Sequence, residues 1–218
     1  MKPLIIINFK TYKEVSGSRA LDLAKKIAKV KKPKYNIFIA PPVLRMHEVA
    51  TQSNIKVLSQ VVSEFEYGAH TGSILLDELK KIKIKGVILN HSEQKIHLAK
   101  IAVIIKACKK RDMVCIVCSS SLGEMKKIAQ LHPDFIAYEP SDLIGGNISV
   151  TEANPSIIVD AIEIVKKVSR KTKLLVGAGV HSTEDIGHAL MLGAHGVLLA
   201  HAVVQAKDPQ KFLEKMLM

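Results

Sequence analysis

A carboxylate that removes a proton from carbon works best at the edge of a buried sheet, beneath a loop that can close over it. Glu139 stands in such a place. Ile136 to Tyr138 reads as the end of a short buried strand, Glu139 as its last residue, and Pro140 keeps Glu139 extended where the chain leaves the sheet. A polar pair, an apolar pair and Gly145-Gly146 follow, the composition of a loop able to move. In a barrel enzyme this is the position of a general base. Taken alone, the stretch fits an ordinary strand exit with a solvated Glu equally well. The other reactive side chains fall at similar endings: Asn8-Phe9-Lys10, Asn90-His91-Ser92-Glu93, Gly177-Ala178-Gly179 and Ala200-His201-Ala202. Each is weak by itself, since a lone lysine is usually on the surface and a lone histidine usually a satisfied polar residue. An amine, an imidazole, a carboxylate and several small-residue loops at five strand ends are together a much stronger signal.

The elements that must position them alternate along the whole chain. Strands are expected at 4–8, 36–40, 55–60, 86–90, 113–118, 135–139, 173–177 and 196–200. Helical spacing of apolar residues predicts helices over 16–30, 43–51, 74–82, 92–111, 121–131, 155–169, 183–192 and 208–217. Ser16 or Ser18, Ser92, Asn154 and Ser182 or Thr183 are candidate N-caps, and Pro209 sits in the first turn of the last helix. The strands are short and mostly apolar on both faces, the mark of a parallel sheet covered by helices. Eight strand–helix units in a chain of 218 residues predict a single α/β domain, a (β/α)₈ barrel. No Gly-x-Gly-x-x-Gly follows the first strand, which disfavours a dinucleotide fold.

Composition narrows the function. No apolar run approaches the ~20 residues that span a bilayer, and the start reads as a first strand rather than a signal peptide. A cytosolic protein without membrane partners is expected. Three cysteines, Cys108, Cys115 and Cys118, are too few for a disulfide framework. Cys115 and Cys118 form a C-x-x-C, but inside a strand they point to opposite faces, so free buried thiols are expected. No His/Cys/Asp/Glu set has metal-ligand spacing. The net charge of +12 and the sequence pI near 9.6 invite a nucleic-acid reading. The lysines are scattered over amphipathic segments, however, and aromatics are only 4% of residues. A solvated basic surface that steers an anionic substrate is the better reading.

Taken in order, Asn8-Phe9-Lys10, Asn90-His91-Ser92-Glu93, Ala137-Tyr138-Glu139-Pro140 with Leu143-Ile144-Gly145, and Gly177-Ala178-Gly179 resemble the triosephosphate isomerase family, and more closely its short archaeal branch. The resemblance runs over the whole chain. It implies interconversion of dihydroxyacetone phosphate and D-glyceraldehyde 3-phosphate, a step of glycolysis and gluconeogenesis, through an enediolate. It further implies Glu139 as proton-abstracting base, neutral His91 as the group that polarises the carbonyl, and Lys10 as the cation facing phosphate and enediolate. Asn8 would donate to the same oxygens. Backbone N–H groups near Ile144 and Gly145 in the lid, and near Gly179, Ala200 and His201, would hold the phosphate. Glu93 would stand behind the catalytic groups, and His91 would owe its neutrality to the helix expected from Ser92. No metal or organic cofactor is required. Departures from the family are Gly146-Asn147 after the lid glycine, Val176 where Tyr is common, Gln94 where Arg is common, and His201-Ala202 where Ser or Gly and Gly or Ala are usual. None removes a catalytic group.

The resemblance also implies a homo-oligomer, at least a dimer, with a tetramer possible. The long loop 63–72 would dock beside a neighbour's active site and Thr71 would brace that neighbour's Asn8 and Lys10. Two rivals carry less. A different phosphate-binding barrel enzyme would not need Lys10, His91 and Glu139 together. A basic nucleic-acid binder would show clustered aromatics and steep salt dependence.

Overall fold

Runs of β-branched and aliphatic residues build the eight strands of a closed parallel barrel whose neighbours follow chain order. The computed structural model describes residues 2–140 and 155–218. The strands are β1 (Leu4–Asn8), β2 (Asn36–Ala40), β3 (Lys56–Ser59), β4 (Gly86–Leu89), β5 (Val114–Ser119), β6 (Phe135–Tyr138), β7 (Lys173–Val176) and β8 (Gly196–Leu199). Closure pairs β1 with β8, Leu4 opposite Gly196. Gly196 adopts φ 149°, and a Cβ there would lie 1.9 Å from the Leu4 carbonyl oxygen, so only glycine lets the last strand come this close to the first.

Alternation along each strand divides the core in two. Ile6, Phe38, Leu58, Ile88, Ile116 and Leu198 belong to the cluster filling the barrel interior. Ile5, Ile7, Ile39, Val87, Val117 and Val197 belong to the outer cluster, packed against the helices. Both faces are dry, which is why the strands read as continuous apolar runs. The parity separates the C-x-x-C as expected: Cys118 points inward and Cys115 outward, and all three cysteines are free and buried.

The helices are α1 (Arg19–Ala28), α2 (Met46–Gln52), α3 (Leu76–Lys81), α4 (Leu98–Lys110), α5 (Leu122–Ala129), α6 (Pro155–Val168), α7 (Thr183–Met191), α8 (His201–Val204) and α9 (Pro209–Met216). Three expectations are corrected here. The helix expected from Ser92 begins at Leu98, with His97 as its N-cap. The reason is that the Asn90 side-chain carbonyl accepts the Ile96 N–H at 3.1 Å and the His91 carbonyl accepts the Gln94 N–H at 2.9 Å, which holds the intervening residues in turns. Neither Ser16 nor Ser18 caps α1: Ser18 is already helical in φ and ψ and makes no capping bond, while Ser16 Oγ accepts from the Arg19 guanidinium. The segment expected as one helix over 43–51 is a 3₁₀ turn, Val43–Arg45, followed by α2. By contrast, Ser182 caps α7 in a full capping box with Asp185, and Asp208 caps α9 ahead of Pro209. Asn154, the cap expected for α6, lies outside the described residues. Helix α8, directly after β8, was not anticipated. Among the described residues no helix is long and apolar enough to cross a membrane.

Candidate active site

The C-terminal ends of the strands bring the reactive residues to one rim. A cleft there is lined by Asn8, Lys10, His91 and Glu139 together with residues of the loops after β7 and β8. Its lining includes Gly179, Ala200 and His201, and also His181. Ile144 and Gly145 lie outside the described residues. Thr71 is exposed on the loop after β3 and is not among the cleft residues of its own chain.

Glu139 follows β6 by one residue rather than ending it, yet its N–H still continues the ladder to the Ser119 carbonyl at 2.8 Å. This bond aims its side chain inward, where it is 4% exposed. Burial raises its pKa from 4.5 to about 7, against the opposing pull of the Cys118 thiol beneath it and of Lys10. Among the described residues, Oε2 is buried with no hydrogen-bond partner. A carboxylate left unsolvated is a stronger base than one in water. Space for it comes from Gly177: a Cβ there would sit 2.5 Å from Glu139 Cγ.

His91 Nε2 stands 3.6 Å from Glu139 Oε1, too long for a good hydrogen bond, so the two groups border the cleft side by side without being tied to each other. On the other side of the ring, the Glu93 N–H donates to Nδ1 at 3.2 Å. An amide N–H can only donate, so Nδ1 must be the unprotonated nitrogen and the single proton of the neutral ring sits on Nε2, facing the cleft. Burial lowers the His91 pKa, helped by the Lys10 cation. The expected helix dipole plays no part, because α4 starts well beyond His91. The turn carrying His91 is held by Asn90, at φ 57°, whose amide donates to the Cys118 carbonyl at 2.9 Å and to Glu124 Oε1 at 2.8 Å. Glu124 in turn accepts from the Ser120 N–H and from Lys95.

Lys10 adopts φ 47°, a left-handed conformation, and its N–H donates to Asn8 Oδ1 at 3.0 Å. Its ammonium pairs with Glu93 Oε1 at 2.7 Å. Lys10 is the shielded partner of this pair, 15% exposed against 59% for Glu93, so the cation is presented to the cleft from a fixed base. Gln60, not singled out from the sequence, locks this corner: its amide donates to the carbonyls of Ala40 and Lys10 and to Asn8 Oδ1. It directly follows β3, the same strand-end position that drew attention to Asn8 and Glu139. The arrangement can remove a proton at Glu139, donate one at His91 Nε2, and stabilise an anion with Lys10.

Comparison with known proteins agrees with this geometry. The family model for triosephosphate isomerase matches residues 3–216. A triosephosphate isomerase of Methanothermus fervidus is 41% identical over 217 residues, covering 99% of this chain and 98% of its own. One from Methanocaldococcus jannaschii is 39% identical, covering 98% of each chain. One from Archaeoglobus fulgidus is 37% identical over 98% of this chain and 96% of its own. A match of this length, on a barrel that gathers Lys10, His91 and Glu139 at one rim, places the chain in the triosephosphate isomerase family.

Proposed function

We propose that this chain interconverts dihydroxyacetone phosphate and D-glyceraldehyde 3-phosphate, with Glu139, His91 and Lys10 as its catalytic residues. Glu139 takes a proton from the carbon beside the carbonyl, and the carbonyl oxygen gains negative charge as the C–H electrons move into the enediolate. His91 donates its Nε2 proton towards that oxygen and recovers one from the neighbouring hydroxyl. Glu139 then returns its proton to the adjacent carbon, so acid and base end as they began. Lys10 and the Asn8 amide stabilise the developing oxyanion, and the loops after β7 and β8 take the phosphate. The observation that most supports this reading is the Glu139 carboxyl, buried, unpaired at Oε2 and pushed up to about 7. A neutral imidazole suits the partner role better than a cation: its acidity lies close to that of the enediol hydroxyls, so it can give a proton to one oxygen and take one from the other with little bias, whereas an imidazolium would simply surrender its proton to the enediolate. A coupled assay with dihydroxyacetone phosphate tests the reading. Turnover in the parent and a loss of several powers of ten in Glu139→Gln is the expected result. Absence of turnover in the parent overturns it.

A homo-oligomer, dimer at the least, belongs to the same proposal. The loop after β3 carries Phe65 and Tyr67, 42% and 59% exposed. Phe65 stacks on His70 with ring centroids 4.2 Å apart, so the loop presents a stiff, partly apolar face rather than a solvated one. Docked on a second copy, it would carry Thr71 towards that copy's Asn8 and Lys10.

A further inference from the structure

Two imidazoles stand at the rim expected to meet the phosphate. His201 follows β8 and His181 follows β7, and both line the cleft that contains Lys10 and Glu139. Their ring centroids are 5.1 Å apart and the planes are tilted by 57°. The rings meet tilted rather than stacked. Both residues are half-buried. His181 is not on a loose tail: its N–H and that of Ser182 both donate to Asp185 Oδ2, at 2.9 and 3.0 Å, which ties the loop to the capping box of α7.

We propose that His181 and His201 form an imidazole clamp on the phosphate of the substrate, and that anion binding at this rim is accompanied by uptake of a proton on the clamp. This rests on the isomerase reading only in supplying the phosphate. Among the described residues, the ionisable groups sharing the cleft with His201 are His181 on the β7 loop, Lys10 and Tyr12 after β1, His91 after β4 and Glu139 after β6. In the free protein, burial lowers the His201 pKa, and His181 and Lys10 lower it further. His201 is therefore neutral at pH 7, with a cation already beside it. A phosphate dianion meeting the edges of both rings reverses the electrostatic sign. An opposite charge within ~4–6 Å favours the charged imidazole and typically raises its pKa by about one to three. The proton comes from solvent, a new N–H bond forms on the ring, and no other bond changes. A neutral His201 keeps the rim from adding a positive charge next to Lys10, and the protonated ring adds charge-assisted hydrogen bonds once the anion is in place.

Sulfate is the probe, because it stays doubly charged across the range in which histidine titrates. Histidine Cε1–H signals are followed by NMR against pH with and without saturating sulfate, with His181→Ser and His201→Ser variants assigning them. The His201 titration should move up by at least about one pH unit when sulfate is present. Sulfate affinity of the parent should fall by roughly tenfold or more between pH 6 and 8. The fall should be smaller in either variant, which retains only the share due to Glu139 and His91. If the parent and His201→Ser give superimposable affinity profiles, or the parent's His201 signal titrates alike with and without sulfate, the clamp is wrong. Active isomerase with silent histidines removes the clamp alone. A chain that neither isomerises the triose phosphate nor binds sulfate removes the isomerase reading with it.

Discussion

Burying Glu139 as a base should weaken the fold, and the size of that effect follows from its environment. Its pKa is raised from 4.5 to about 7, with burial as the main cause. Between those values the native state holds more protons than the unfolded chain, so stability falls as pH rises through the window. At about 1.4 kcal/mol per pKa unit, the native state above pH 7 is less stable by roughly 3 kcal/mol than it would be with a neutral group there. Below the unfolded value the difference is gone. Glu139→Gln removes the titration and keeps the shape. A buried amide with imperfect partners has its own cost of about 1–3 kcal/mol, but that cost does not vary with pH. The diagnostic is therefore the slope. Urea unfolding followed by circular dichroism, at one fixed protein concentration and at pH values from 5 to 8, should show Glu139→Gln gaining on the parent by roughly 2–3 kcal/mol as pH rises. Stability curves that run parallel across this range would refute the raised pKa and with it the claim that burial makes Glu139 a base.

The same titration should appear in catalysis as an acid limb in kcat/KM near pH 7, above the limb from the substrate phosphate near ~6; a Glu139 limb close to its ordinary 4.5 would contradict the account. Gly177→Ala places a Cβ 2.5 Å from Glu139 Cγ, and the buried carboxylate must shift. Turnover should drop on the order of 10²-fold with the fold retained, whereas unchanged turnover would show that the glycine is not needed for the base. The exposed, stacked face of the loop after β3 predicts a dimer or larger species by sedimentation at micromolar concentration, and a fully active monomer there would exclude the docking role.

The barrel was legible because its physics is local and repeated: short runs such as Leu4–Asn8 and Val114–Ser119 are apolar on both faces, and every one is followed by an amphipathic helix. Lys10, His91 and Glu139 were legible for a related reason, each being a polar group at the point where such a run stops. What escaped depends on contacts between distant residues. The pattern around Ser92 to His97 continues that of α4, but the Asn90 side chain captures the Ile96 N–H and delays the helix. Periodicity carries no trace of that bond. Glu124 reads as an ordinary first-turn acid, and only the folded chain shows it holding Asn90 and hence the His91 turn. Gln60 could have been found by applying the strand-end rule to β3 as it was applied to β1 and β6. His181 and His201 lie on different loops, and no spacing in the sequence announces that their rings meet.

The central claim, that Glu139 moves a proton between two adjacent carbons, is tested most directly in deuterated water. Dihydroxyacetone phosphate incubated with the chain should acquire deuterium at the carbon beside its carbonyl, and the aldehyde product at its C2, both followed by NMR. Exchange with Glu139→Gln should fall to the rate without protein, while sulfate still competes for the site. Deuterium uptake by Glu139→Gln at a rate near that of the parent would assign the base to another residue.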